Sequence, residues 1–424
     1  MEYDALKDFL TFLQDSPTAF HTTVEVGNRC AANGFCPLEE KEKWSLTPGH
    51  SYFVIRGGSL CAFTLPKSSP KKAKILASHS DSPALKLKPN SLFIENNLPF
   101  LRVETYGSPI LSTWINRDLA IAGRLFYACG GEIESQLIHL DHLPLMIPSL
   151  PIHLEKEMNE MPKKIDRQHH LSPLLGLPSP HLKPEKIMEE LLGVSSSTLL
   201  GSDLFLVPNT PPTLIGLNQN LVSAYRLDNL TSVHASLLSL LAAKKTPSTN
   251  LQMAIVWNHE EVGSETEEGA ASSFLCDILE RIALSYQMDR EDLLRMKRSS
   301  ELFSIDMAHA FHPSYKQKFD SANTPQMGEG VVIKFNANQR YATNGEMAAN
   351  LNDLARKRQI KTQQFASESN IPSGSTVGSI TSSKTGIPSI DIGLAQLSMH
   401  AARELISAED HLTLCKLLKE VLQS

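Results

Sequence analysis

Ala73-Lys74-Ile75-Leu76-Ala77 runs through Ser78 into His79-Ser80-Asp81. A short, nearly continuous apolar run of this kind reads as a strand covered on both faces, and the abrupt change to His and Asp places reactive side chains at its C-terminal end. The same arrangement recurs further along the chain. Ala254-Ile255-Val256-Trp257 precedes Asn258-His259-Glu260-Glu261, Leu302-Phe303-Ser304-Ile305 stops at Asp306, and Ile390-Asp391-Ile392-Gly393-Leu394 lies a few residues before His400. Helical spacing fills the intervals: Leu230, Val233, Leu237, Leu238 and Leu241 share one face after Arg226-Leu227-Asp228. Leu412, Leu414, Leu417, Leu418 and Val421 follow the capping signature Ser407-Ala408-Glu409-Asp410. This alternation predicts an α/β fold, a mixed sheet between two layers of helices, and in such sheets ligands collect outside the C-terminal strand ends.

Two short helices are expected at the start, with Leu6, Phe9, Leu10 and Leu13 at helical spacing before Ser16-Pro17-Thr18. From about Asn90 to Ile215 the texture changes to short alternating pieces such as Leu101-Arg102-Val103-Glu104-Thr105, and prolines multiply. The reading is a β-rich unit over residues 91–215 inserted into a discontinuous main domain, residues 1–90 and 216–424. The length, 424 residues, agrees with more than one domain.

The charge balance is 40 Lys+Arg against 46 Asp+Glu, a net −6, so no overall positive field draws in nucleic acid or anionic lipid. The longest mainly apolar runs, such as the one from Leu237 to Ala243, fall far short of the ~20 residues that a membrane-spanning helix requires. The start, Met1-Glu2-Tyr3-Asp4, lacks the basic residues of a signal peptide, and the 6 scattered cysteines form no C-x-x-C pair. These features predict a cytoplasmic protein with reduced thiols and neither a nucleic-acid nor a membrane partner.

Each reactive segment is weak evidence alone. His-x-Asp occurs by chance about once in a chain of this length, and His139-Leu140-Asp141 is a decoy inside the inserted region. Position in the fold discriminates between them. Adjacent carboxylates such as Glu260-Glu261 repel one another at a strand end unless a cation or hydrogen bonds compensate; the bland alternative is an acidic helix start. For Asp228 the bland alternative is an N-cap. Two histidines and several carboxylates delivered to one presumed sheet edge make up the donor set of a two-metal site. Such a site, with ions ~3.5 to 4 Å apart, needs one bridging carboxylate and a terminal His and carboxylate per ion.

The chain as a whole then resembles a known family. His79-Ser80-Asp81-Ser82-Pro83, Arg226-Leu227-Asp228-Asn229, His259-Glu260-Glu261-Val262-Gly263-Ser264, Asp306-Met307-Ala308-His309-Ala310 and Met399-His400 are similar to the ordered motifs of the aspartyl aminopeptidase family of dinuclear zinc metallopeptidases. So are Gln339-Arg340-Tyr341-Ala342-Thr343 and Gly374-Ser375-Thr376-Val377-Gly378, and the resemblance covers essentially the whole chain. It implies a three-layer α/β/α zinc-peptidase domain with an inserted dimerisation and lid domain. It also implies two Zn2+ per subunit, with Mn2+ or Co2+ acceptable in one site. His79 and Asp306 would hold one ion, Glu261 and His400 the other, and Asp228 would bridge them.

By the same resemblance Glu260 is the general base and Asp81 accepts the second imidazole N–H of His79. Lys334 is the cation that meets the acidic side chain of an N-terminal Asp or Glu, and Tyr341 lines the site near the carbonyl. Without the resemblance, Lys334 reads as a solvated strand charge and Tyr341 as a packed aromatic. His309 falls beside Asp306, and His312-Pro313 reads equally well as a turn. His153 matches a histidine that reaches into a neighbouring subunit's site, within a homo-dodecamer built from dimers. Two features depart from or vary within the family pattern: Tyr106-Gly107-Ser108-Pro109-Ile110 stands where a glycine-rich run is usual, and Asn229 follows Asp228 at a peptide bond that is often cis in this superfamily.

The activity implied is removal of N-terminal acidic residues from peptides. Two other readings stand beside it: a carboxypeptidase or N-deacylase of the same dinuclear superfamily, and a catalytically silent assembly or cargo-binding scaffold, which would be expected to have lost ligands.

Overall fold

The computed structural model describes residues 2–154, 164–177, 184–195 and 198–424. They form two compact units. The first comprises Met1–Ser82, Pro212–Met399 and Glu404–Ser424; the second comprises Pro83–Pro211 and His400–Arg403.

The first unit is built on a nine-stranded sheet. In spatial order its strands are Cys36–Leu38, Ser51–Arg56, Ser59–Thr64, Leu251–Trp257, Ala73–His79, Glu301–Ile305, Ser389–Gly393, Val331–Lys334 and Thr362–Phe365. Four central strands, Leu251–Trp257 through Ser389–Gly393, run parallel. Every residue of the Ala73–His79 and Leu251–Trp257 strands is buried, which is why their sequences are apolar runs without alternation.

Successive side chains of these strands enter opposite cores. Leu76 packs with Phe9, Leu230, Ile305 and Leu418. Ile75 and Ala77 pack with Trp257, Phe274 and Ile278 on the other face. Each such aliphatic burial contributes about 1.5–3 kcal/mol, so both helical layers are held to the sheet by the same strands. The layers are those expected of an α/β/α sandwich. The predicted opening helices are Glu2–Gln14 and Ala19–Ala32, and the last is Ala408–Gln423, whose Ser407 cap accepts the Asp410 N–H. A smaller five-stranded sheet includes Leu221–Ala224, from which the chain turns at Arg226 into the helix Leu227–Ala243.

The second unit carries its own five-stranded sheet, in the order Leu98–Tyr106, Ala84–Glu95, Leu199–Pro208, Leu119–Cys129 and Glu132–His139. All its strand pairings are antiparallel. The decoy His139 ends the last of these strands. Among the described residues no helix is long and apolar enough to cross a membrane.

Candidate metal centre

The parallel strands deliver their side chains to one edge. His79 is the last residue of its strand and is 1% exposed. Its Nε2 lies 3.4 Å from Asp228 Oδ1 and 3.5 Å from Asp306 Oδ1. One donor atom each from His79, Asp228 and Asp306 falls within 4.8 Å of the others, and the same holds for His79, Glu260 and Glu261. Residues 79, 228, 260, 261 and 306, far apart in sequence, are therefore neighbours in the first unit.

Local backbone geometry explains how each side chain arrives. After Trp257 the chain turns through left-handed backbone at His259 (φ 62) into the short 3-10 turn Glu260–Val262, which ends at Gly263 (φ 102). The Asp81 carboxylate grips that turn by accepting the backbone N–H groups of Glu260 and Glu261, each at 3.1 Å. His79 Nδ1 is 3.1 Å from the Asp81 carbonyl oxygen and 3.5 Å from Asp81 Oδ1. Asp81 thus orients the imidazole chiefly through its main chain while its side chain holds the two glutamates. The acidic segment does not open a regular helix.

Asp228 is not an N-cap. It lies inside the first turn of its helix with non-helical backbone, and the cap position is Arg226 in left-handed conformation. The Asp228-Asn229 peptide bond is cis. Asp228 N–H donates to Glu404 Oε2 at 3.0 Å, its carbonyl accepts from Ser82 Oγ at 2.6 Å, and Asn229 Nδ2 donates to the Ile305 carbonyl at 2.8 Å. The buried Arg226 guanidinium donates to the carbonyls of Ser16 and Ser80. Glu268 braces the Glu260 turn: its Oε2 accepts from Gly58 N at 2.6 Å and from Asn258 Nδ2 at 2.7 Å. Gly57, at φ +57, is required there, because a Cβ would lie 2.0 Å from Glu268 Oε1. No sequence reading assigned a role to Arg226, Glu268 or Glu404; the one visible signal was the Arg226-Leu227-Asp228-Asn229 motif.

Electrostatics mark the cluster as a site for cations. Burial opposes charging of His79, yet its hydrogen bonds to Asp228, Asp306 and Asp81 outweigh burial and hold its pKa well above the usual imidazole range. Burial, reinforced by the charges of Asp306, Asp81 and Asp228, pushes Glu260 up to about 8. Burial together with Asp228 and Glu260 raises Glu261 well above its ordinary value. Carboxylates packed this closely disfavour their own charged forms, and a divalent ion removes that penalty. Imidazole with carboxylate oxygens is a donor set that zinc accepts, so these residues fit the metal.

Lys334 is not a solvated strand charge. It is 2% exposed, its Nζ lies 3.4 Å from Asp306 Oδ2, and it sits 5.2 Å from the centre of the Tyr341 ring. Tyr341 is buried, with its ring 6.3 Å from that of Phe365. His309 is exposed and lies edge-on to Phe365.

The remaining candidates belong to the second unit. His400 has left-handed backbone (φ 66), and its Nδ1 lies 3.2 Å from the carbonyl of Ser108, the residue before Pro109. His153 is exposed in the 3-10 turn Ile152–Leu154.

A sheet edge carrying a buried imidazole among carboxylates, with a further glutamate beside them, has the donor set of a zinc-binding protein. Residues 12–421 match the family of Aminopeptidase I zinc metalloproteases (M18), and the chain belongs to that family. It is 37% identical to a probable M18 family aminopeptidase 2 of Clostridium acetobutylicum, covering 99% of this chain and 98% of the relative. Among solved structures, a chain of the Ape4 and Nbr1 complex superposes with a TM-score of 0.95 at 31% identity, covering 100% of this chain and 86% of that one. The mApe1 dodecamer of S. cerevisiae gives 0.86 at 27% identity, covering 100% and 97%. The protein is a zinc aminopeptidase.

Proposed function

We propose that this aminopeptidase removes N-terminal Asp or Glu from peptides at a dinuclear zinc site. His79 and Asp306 would hold one ion, Glu261 and His400 the other, and Asp228 would be shared by both. When bound, zinc supplies Lewis acidity, polarising the scissile carbonyl and acidifying water.

The protein's own groups carry the protons. The Glu260 carboxylate takes the proton of the attacking water and returns it to the departing amine, a shuttle worth ~10²–10⁴ in rate. The Asp81 clamp on its backbone N–H restrains its position. Lys334 pairs with the acidic side chain of the N-terminal residue, Tyr341 and His309 line the substrate path, and His153 is supplied by a neighbouring copy. The assembly is a homo-dodecamer built from dimers in the cytoplasm.

The observation that carries this reading is the buried Lys334 ammonium 3.4 Å from Asp306, a fixed cation at the edge of the metal cluster. The test is kinetics on a panel of N-terminal residues, free and N-acetylated, with wild type and Lys334→Ala, alongside metal analysis. Acidic selectivity that disappears in the variant is expected. Unchanged selectivity removes Lys334 from the pocket, and cleavage of acetylated peptides favours a deacylase or carboxypeptidase.

A further inference from the structure

Asp391 lies in the middle of the Ser389–Gly393 strand with no exposure at all, between the equally buried Ile390 and Ile392. An isolated carboxylate is expensive to bury in such a place, so its partners identify what it is for. One oxygen accepts from the Thr376 hydroxyl at 2.5 Å and the other from the Ala342 backbone N–H at 2.5 Å. Its own N–H donates to Thr343 Oγ1 at 2.9 Å. Gly378, in the first turn of the Val377–Thr385 helix, lies flush against the group, since a Cβ there would lie 2.5 Å from both carboxylate oxygens.

Strand register links this node to the cation. The antiparallel pairs Val332–Gly393 and Ile333–Ile392 set the register, and extending it by one residue brings Lys334 level with Asp391, where directly opposed residues project on the same face. Lys334 thus pairs with Asp306 at 3.4 Å and stands next in strand register to the scaffold carboxylate Asp391. Tyr341 immediately precedes the two residues, Ala342 and Thr343, that bond to Asp391.

We propose that Asp391 is a positioning residue for recognition of the substrate's N-terminal side chain: it holds Lys334, the segment bearing Tyr341 and the start of the Val377–Thr385 helix in one arrangement. It touches no substrate and acts through Lys334 and Tyr341, so the inference rests on the pocket assignment made above.

The test is steady-state kinetics of zinc-loaded Asp391→Asn on aspartyl and leucyl derivatives of one chromogenic amine, with zinc content and Tm recorded. An asparagine oxygen still accepts from Ala342 N–H and its amide can donate to Thr376 Oγ1, so the variant keeps the connections while losing the charge. The expected result is KM for the aspartyl substrate raised at least about tenfold, with its kcat and both leucyl constants within about threefold of wild type. Thr376→Val should shift the same ratio in the same direction, and Thr376→Ser, which keeps the hydroxyl, should restore it. The Thr376 pair decides the matter if Asp391→Asn does not fold. A wild-type acidic preference that survives unaltered in these variants, or an equal loss on both substrates, overturns the positioning role alone. Absence of acidic preference in the wild type overturns the pocket assignment and this inference with it.

Discussion

The first unit holds two clusters of histidine and carboxylate, and they are electrostatic opposites. In one, His79 faces three aspartates and two glutamates crowd beside it. In the other, His234 and His411 are fully buried, with His234 Nδ1 3.0 Å from His411 Nε2 and its Nε2 3.0 Å from Asp8 Oδ2. Phe9 stacks on His411 at 3.9 Å between ring centres, and Arg29 neutralises Asp8 at 3.0 Å. Burial dominates there and pulls both imidazoles below their ordinary pKa, that of His411 further. One helix, Leu227–Ala243, carries both Asp228 and His234. Burial of a histidine therefore says little about its task. The ratio of acidic to basic partners decides whether a cation is needed or the ring is a neutral packing element.

That contrast is broken most forcefully at Glu260. Glu260→Gln should lower kcat by ~10²–10⁴ with zinc content preserved, because an amide cannot accept the proton; normal turnover would assign the base elsewhere. His234→Phe, the matching change in the other cluster, should leave kcat and zinc content within about threefold of wild type.

Metal removal comes next. Chelation should abolish hydrolysis and lower Tm, since a ligand at ~1,000 times its Kd stabilises the fold by about 4 kcal/mol. Full activity in metal-free protein would end the account of the first cluster. For the second, His411→Leu should cost about 1–3 kcal/mol by stranding the His234 acceptor, and zinc should leave that difference unchanged.

The smallest effect is on pH dependence. His234 and His411 have folded-state pKa values below their unfolded ones, so the unfolded chain takes up their protons first as pH falls. Their contribution is intact above about 6.5 and is lost as pH drops below that value. Asp8, held down at about 2 chiefly by its hydrogen bond to His234, contributes above its ordinary 3.8 and loses that contribution as pH falls towards 2. Urea midpoints of wild type minus His411→Leu between pH 7.5 and 5 should converge as pH falls; parallel curves would show that the pair does not titrate with unfolding.

How far the site could be read from sequence follows from the same physics. His79, Glu260, Glu261 and Asp306 follow apolar runs at or near strand ends, and a buried parallel strand announces itself and its terminus by composition. Lys334 and Asp391 could not be interpreted that way. Each is a charge inside a short apolar strand, and local pattern offers for such a residue only an exposed face. Their mutual placement comes from an antiparallel pairing between strands that are distant in sequence. Arg226 and Glu268 were equally silent, one taking left-handed backbone and the other bonding across 210 residues to Gly58.

Local composition and periodicity were enough to predict an α/β sandwich and to point to reactive side chains near strand ends, because burial and hydrogen bonding within an element depend on neighbours in the chain. Which carboxylate faces which imidazole, why Lys334 is enclosed, and why one buried histidine calls for a cation while another does not were decided by the packed structure. Charge interactions depend on distance through space, and folding alone sets those distances.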